Sequence, residues 1–330
     1  MVELKSLKYN FIKTIVCILV VIGHVIRMYT DQGLLHPCIS SDFLGGLSKF
    51  IYYFHMPLFF VITGAVYGLC IDDLGKYTDN KKFVKTKFLR LMIPYLCFGL
   101  FYVAPIMVLF KFTDLSYWEY CFKFLLLGYG SRHLWFLIAL FFIFMFFMLA
   151  KKIIAKFHPA INILLFIIMY YASNLLGSVP SNILGNILFF YIGYLINKYF
   201  EKIYTFIIKN KISTIFFTLL YIVLFYLSGK IYITNLFISI VGIFMALSLL
   251  LIIPEKIYKE NKIYKHIKQN SMGIFLFHPI IIYVLFYLFG DKTINPYILS
   301  GTIFIISFIV SDFLTTIMKK SKIKFIMGEK

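Results

Sequence analysis

Acidic residues are scarce in this chain: 14 Asp and Glu stand against 33 Lys and Arg in 330 residues, and all four types together make up only 14%. A soluble domain of this size carries about a quarter of its residues as charges, so this chain has too few to keep a globular surface in water. Cysteine is equally sparing. The five residues Cys17, Cys38, Cys70, Cys97 and Cys121 are odd in number and show no metal-ligand spacing, which excludes a disulfide framework and a cysteine metal centre. Long polar stretches, low-complexity linkers and internal repeats are also missing, so the pattern offers no second, soluble domain.

What the chain has in abundance is apolar sequence. Hydrophobic residues make up 61% and aromatics 20%. Runs near the length needed to cross about 30 Å of hydrocarbon lie at roughly 10–29, 50–70, 90–111, 133–150, 160–176, 182–198, 212–229, 233–253, 270–289 and 296–318. The pattern predicts an all-α bundle of about ten transmembrane helices spanning residues 1–330 as one unit. Residues 118–127, aromatic with single charges, read as an amphipathic helix in the outer interface. The first span is expected to be retained rather than cleaved, because no small-residue cleavage site follows it.

A formal charge of +19 would suggest nucleic acid if it were gathered on a soluble face. Its distribution gives another reading. With the N-terminus inside, only seven of the 33 cations, namely Arg27, Lys49, Lys111, Lys123, Arg132, Lys230 and Lys292, fall on the outer side. That asymmetry is the positive-inside bias, and it predicts both termini in the cytoplasm, anionic membrane lipid as a partner and no nucleic acid.

Against this apolar background a few groups stand out. In "KTIVCILVVIGH" Lys13 and His24 are eleven residues apart, three helical turns plus about 20°, so they share a face some 16 Å apart along the axis. "FHMPLFFVITG" puts His55 at the same depth as His24, with Pro57 unable to donate to the Tyr53 carbonyl and expected to kink the helix. Gly64 and Gly68 would admit a close neighbouring helix. "SMGIFLFHPI" places His278 beside Pro279 in mid-membrane. Taken singly each is compatible with packing or snorkelling; intramembrane titratable groups recurring beside prolines point to function.

These stretches, with "KFLRLMIPY" at 87–95, "HLWFLIALF" at 133–141 and "NSMGIFLFHP" at 270–279, together resemble the membrane acyltransferase family three, and within it the polysaccharide and sugar O-acetyltransferases. The resemblance runs in order from residue 10 to about 318. It implies a ten-helix enzyme of the plasma or inner membrane, in a short membrane-only form, that takes acetyl from cytoplasmic acetyl-CoA and places it on a hydroxyl of an envelope glycan or lipid-linked sugar. The family pattern often has arginine, ten residues, then an essential histidine; Lys13 occupies the arginine position here and offers a point charge rather than a planar fork. Asn10 sits where many relatives carry aspartate.

The chemistry of acyl transfer assigns the groups further. A base must take the acceptor proton, which suits His24, His55 and His278. A polyanionic donor suits Lys13 and Arg90 at the inner face, with Lys85 and Lys87 read as ordinary inner charge. Arg132, His133 and Trp135 at the outer start of the fourth span would hold a sugar or serve as an interfacial belt. Asp312 would polarise a histidine or pair with Lys13 or Arg90. No metal is expected. The competing reading is a transporter or flippase of an envelope precursor with the histidines as a proton relay, which would call for inverted-repeat symmetry; a different acyl group such as succinyl stays open within the enzyme reading.

Overall fold

A computed structural model describes residues 1–128, 132–228, 230 and 234–329, and the described elements are helical. The first crossing is α1 (Val2–Ile26), extended by a 3-10 turn to Tyr29. The second is α2 (Asp42–Tyr52), α3 (His55–Gly68) and a π turn to Asp73; the third is α4 (Asn80–Lys87), α5 (Ile93–Phe98) and α6 (Ala104–Leu109), joined through π turns. The surface helix α7 (Tyr117–Leu127) precedes α8 (Trp135–Lys156), α9 (Pro159–Ala172), α10 (Ser178–Lys198) and the short α11 (Phe200–Lys209). Then come α12 (Lys211–Ser228), α13 (Asn235–Ile252), the single turn α14 (Glu255–Tyr258), α15 (Lys262–Phe289) and α16 (Pro296–Lys320).

Among the described residues nine helical segments are long and apolar enough to cross a membrane. The expected tenth, Pro159–Leu175, is apolar but shorter, at about 25 Å for its 17 residues, and so falls below the thickness of a typical hydrocarbon core.

Several helices begin earlier than hydropathy alone indicates. The stretches 30–49, 71–89 and 254–269 read as loops from their polarity, yet α2, α4 and α15 start inside them. Each start carries a side-chain cap: the Ser41 hydroxyl accepts from the Leu44 N–H at 3.3 Å, Asp79 from Lys81 at 2.8 Å, and Asn261 from Tyr264 at 2.9 Å. The helix expected over 118–127 is present as α7, opened by a capping box between Ser116 and Glu119.

The kink expected at Pro57 is a break: α2 ends at Tyr52 and α3 begins at His55, because Pro57 leaves the Tyr53 carbonyl without its intrahelical donor. Pro94 does the same for the carbonyl of Arg90, which sits in the π turn Phe88–Met92. The Gly64 surface meets α10 as expected. A Cβ at Gly64 would collide with the Phe190 carbonyl and one at Gly193 with the Val61 carbonyl, so glycine on both helices is what lets these backbones touch.

Hydrogen bonds define two faces. On the basic face, Lys5 pairs with Asp73 at 2.9 Å. The wholly buried Lys8 donates to the Leu251 and Ile253 carbonyls at 2.9 and 2.7 Å and pairs with Glu255 at 2.6 Å. Burial alone would raise the Glu255 carboxyl, but the hydrogen bond and charge of Lys8 outweigh it and hold it below its ordinary value. On the opposite face, Cys38 N–H donates to the Gly290 carbonyl at 2.8 Å and the Tyr29 hydroxyl to the Pro296 carbonyl at 3.2 Å.

Candidate active site

Helices α1 and α15 run in the same direction and pack against each other. Each carries a stripe of functional groups on one face. On α1 it passes from Lys13 through Cys17 to His24, with spacings of four and seven; on α15 it passes from Lys268 through Ser271, Met272 and Phe275 to His278, at the three- and four-residue spacings of a single helix face. The Cys17 thiol donates to the Ser271 carbonyl at 3.3 Å, which ties the stripes together at mid-height.

At the basic end the stripes line a cavity of about 460 Å³. Lys13, Lys76, Lys87, Arg90 and Lys268 face it with a single carboxylate, Glu329. Lys13 and Arg90, expected to bind the donor, thus share one cavity; Lys13 is exposed to that space although it lies within a span. Lys87, read from sequence as ordinary inner charge, also belongs there, its ammonium 3.6 Å above the Phe144 ring. Lys85 does not line it.

Phe275 is part of the cavity wall, and its ring also neighbours two of the histidines. The Phe275 ring is 5.4 Å from that of His133 and 6.2 Å from that of His278. His24 and His278 rings stand 5.2 Å apart, and His133 and His278 5.8 Å apart. Three of the four imidazoles have their tautomers set by backbone carbonyls, which only accept. His278 donates from Nδ1 to Ile274 at 2.8 Å, His55 from Nδ1 to Ile51 at 2.9 Å, and His133 from Nε2 to Leu276 at 3.1 Å. In the neutral ring the other nitrogen then carries a lone pair. Nε2 of His278, Nδ1 of His133 and Nδ1 of His24 are all buried without a hydrogen-bond partner. Buried polar atoms are nearly always satisfied, so three orphaned nitrogens on rings this close mark a place built to receive something. Among the described residues no group of three or more His, Cys, Asp or Glu side chains is placed to hold a metal ion.

The expected site residues divide accordingly. His24 and His278 are in the cluster. His55 joins it through Tyr52, whose ring lies 4.5 Å from His55 and 6.4 Å from His24. His133, grouped from sequence with an outer sugar contact, lies instead against His278 and is 3% exposed. Trp135, two residues on, points away from it toward Phe60 and Phe136. Arg132 occupies the left-handed region at φ 48°, and its Nε is buried and unpartnered. Asp312 pairs with neither Lys13 nor Arg90: it accepts from Asn270 at 2.8 Å and lies 2.8 Å from His266 Nε2, on another side of α15.

Apolar spans that enclose clustered imidazoles beside a cation-lined cavity define a multi-pass membrane protein. A family model described as an acyltransferase domain matches residues 7–316, nearly the whole chain, and the protein belongs to the membrane acyltransferase family three. It is therefore an acyltransferase. No curated protein and no solved structure matches the chain.

Proposed function

We propose that the protein is an O-acetyltransferase of the cell membrane that takes acetyl from acetyl-CoA on the basic, cytoplasmic face and delivers it to a hydroxyl of an envelope polysaccharide or lipid-linked sugar. One observation carries the reading: a cavity with five cations and one carboxylate shares its wall residue Phe275 with a cluster of three imidazoles that have unpaired nitrogens. A coenzyme A donor is polyanionic along its nucleotide and neutral at its thioester, which matches cations at the mouth and an apolar approach to the base.

In this mechanism Lys13, Lys87, Arg90 and Lys268 hold the phosphates. His24, with His278 and His133 beside it, takes the proton of the acceptor hydroxyl as its oxygen attacks the thioester carbonyl. The tetrahedral intermediate collapses by breaking the carbon–sulfur bond, and the departing thiolate recovers the proton from the imidazolium. His55 contributes through Tyr52. Arg132 keeps an unsatisfied polar group for a ligand and is retained as a saccharide contact, whereas Trp135 is assigned to packing.

The test compares surface-glycan O-acetyl content by NMR in cells that carry the protein, lack it, or carry His24→Ala at equal membrane abundance. The reading expects O-acetyl signals in the first alone. Equal acetylation in all three would refute it.

A further inference from the structure

On the face opposite the basic cavity the bundle opens into a second pocket of about 540 Å³, within the size range of ligand sites. The ends of α1, α2 and α13 frame it, and Arg27, Asp31, Gln32, Lys49, Tyr52 and Asn235 face it. None of these residues was singled out from the sequence as binding anything.

Tyr52 connects this pocket to the histidines. Its ring forms part of the wall and also stands edge-on to His55 and His24, at 4.5 and 6.4 Å. Its hydroxyl is buried and makes no well-formed hydrogen bond, with the Arg27 guanidinium as its neighbouring donor. Buried tyrosine hydroxyls as a rule find one, so this group is left for a ligand. The Arg27 guanidinium lies over the same ring at 4.6 Å while its Nη2 and Nε donate to the side chain and backbone of Gln32 at 3.0 and 3.3 Å. The arginine is thereby clamped at the pocket wall by residues that themselves face the space.

The chemistry of the lining differs from that of the donor cavity. The lower cavity sets five cations against one carboxylate; here two cations, one carboxylate, two carboxamides and the residues Ser48 and Ser239 line the space together with Tyr53. Mixed donors and acceptors beside an aromatic face suit a ligand that is rich in hydroxyls, each both donor and acceptor, and that has an apolar ring face; a surplus of cations would suit a phosphate. We propose that this pocket is the acceptor site for a saccharide, and that the Tyr52 hydroxyl is the hydrogen-bond partner that turns the sugar's attacking hydroxyl toward His24 and His55. This inference rests on the acetyl-transfer reading and adds where, and through which residue, the acceptor binds.

The experiment uses the full chain in nanodiscs, where both faces are accessible, with radiolabelled acetyl-CoA. The acceptors are two alkali-treated fractions of the expressing cell's envelope, the aqueous polysaccharide and the lipid-extractable glycan, whose O-acyl esters base has removed. The fraction that takes up label identifies the form of the acceptor. Asn235→Trp, at an exposed rim position, should raise the acceptor KM at least tenfold and leave the acetyl-CoA KM unchanged. Tyr52→Phe, which keeps the ring against His55 and Arg27, should lower kcat about 10²-fold with the same acetyl-CoA KM. Wild-type acceptor parameters in both variants would overturn the proposal, as would an equal loss in the handling of acetyl-CoA, since Tyr52 and Asn235 would then be supporting the fold. If the wild-type protein labels neither fraction, the acetyl-transfer reading fails, and the acceptor site falls with it.

Discussion

The imidazoles of His24 and His278 lie 5.2 Å apart, although 254 positions separate them in the chain. They meet because α1 and α15 run parallel and carry them near the same end, ten to eleven residues beyond a lysine on each helix. The pairing makes the cluster a joint property of two helices. Replacing His24 and His278 by cysteine in a background without the five native cysteines should therefore give efficient cross-linking by a short bifunctional reagent, and His24→Cys with His55→Cys a weaker product, because each of those rings packs against Tyr52. Failure of the first pair while a control pair at the same depth reacts would break the geometry on which the site depends.

His24→Ala should lower acyl transfer about 10² to 10⁴-fold, the usual contribution of a general base, at unchanged membrane abundance. Kinetics on purified protein check this. A rate within twofold of wild type would reduce His24 to packing.

Lys13→Arg should retain donor binding, because it keeps a cation in the cavity, whereas Lys13→Ala should raise the acetyl-CoA KM about tenfold, the worth of one charge-assisted hydrogen bond. An unchanged KM in Lys13→Ala would leave the other four cations of the cavity sufficient.

Gly64→Ala should destabilise the bundle by about 3 kcal/mol or more, since the added methyl meets the Phe190 carbonyl rather than a movable side chain. Thermal unfolding in detergent measures it, with Gly46→Ala, where nothing lies within 4 Å, as the neutral control.

The Lys8 pair adds a pH dependence. Because the Glu255 carboxyl is held below its ordinary value in the folded protein, its contribution to stability is fully present above the ordinary carboxylate range and is lost as pH falls through the lowered value. Melting temperatures from neutral to acid pH should fall less steeply in Glu255→Gln than in wild type. Parallel curves would mean that the pair contributes nothing through titration.

Much of this was legible in the sequence, for physical reasons. A crossing helix needs a long apolar run, so nine of the ten expected spans were visible among the described residues, as were a disturbance of the helix at Pro57, expected as a kink, and the contact at Gly64. The polar ends of α2, α4 and α15 were not, because hydropathy weighs composition over the caps at Ser41, Asp79 and Asn261 that in fact start those helices. Residue counting put His24 level with His55 and His278 in mid-membrane, and did not foresee that the rings of His24 and His278 would lie side by side. That His133 turns inward while Trp135 turns away did not, since a helix start carries no sign of which face will meet α15. Tyr52 looked like any aromatic before a histidine; only its buried hydroxyl without a well-formed hydrogen bond distinguishes it, and that is a property of the packed bundle. Lys76, Lys268 and Glu329 reach the basic cavity from three separate elements that the sequence offers no means of bringing together.

The central claim is that one protein joins a donor cavity on its basic face to an acceptor on the other. Sealed vesicles holding the purified protein test it most directly, with radiolabelled acetyl-CoA trapped inside and alkali-treated envelope glycan outside. The account predicts label on the external glycan, abolished by His24→Ala. Label that reaches the glycan only when acetyl-CoA is supplied in the same compartment would contradict it.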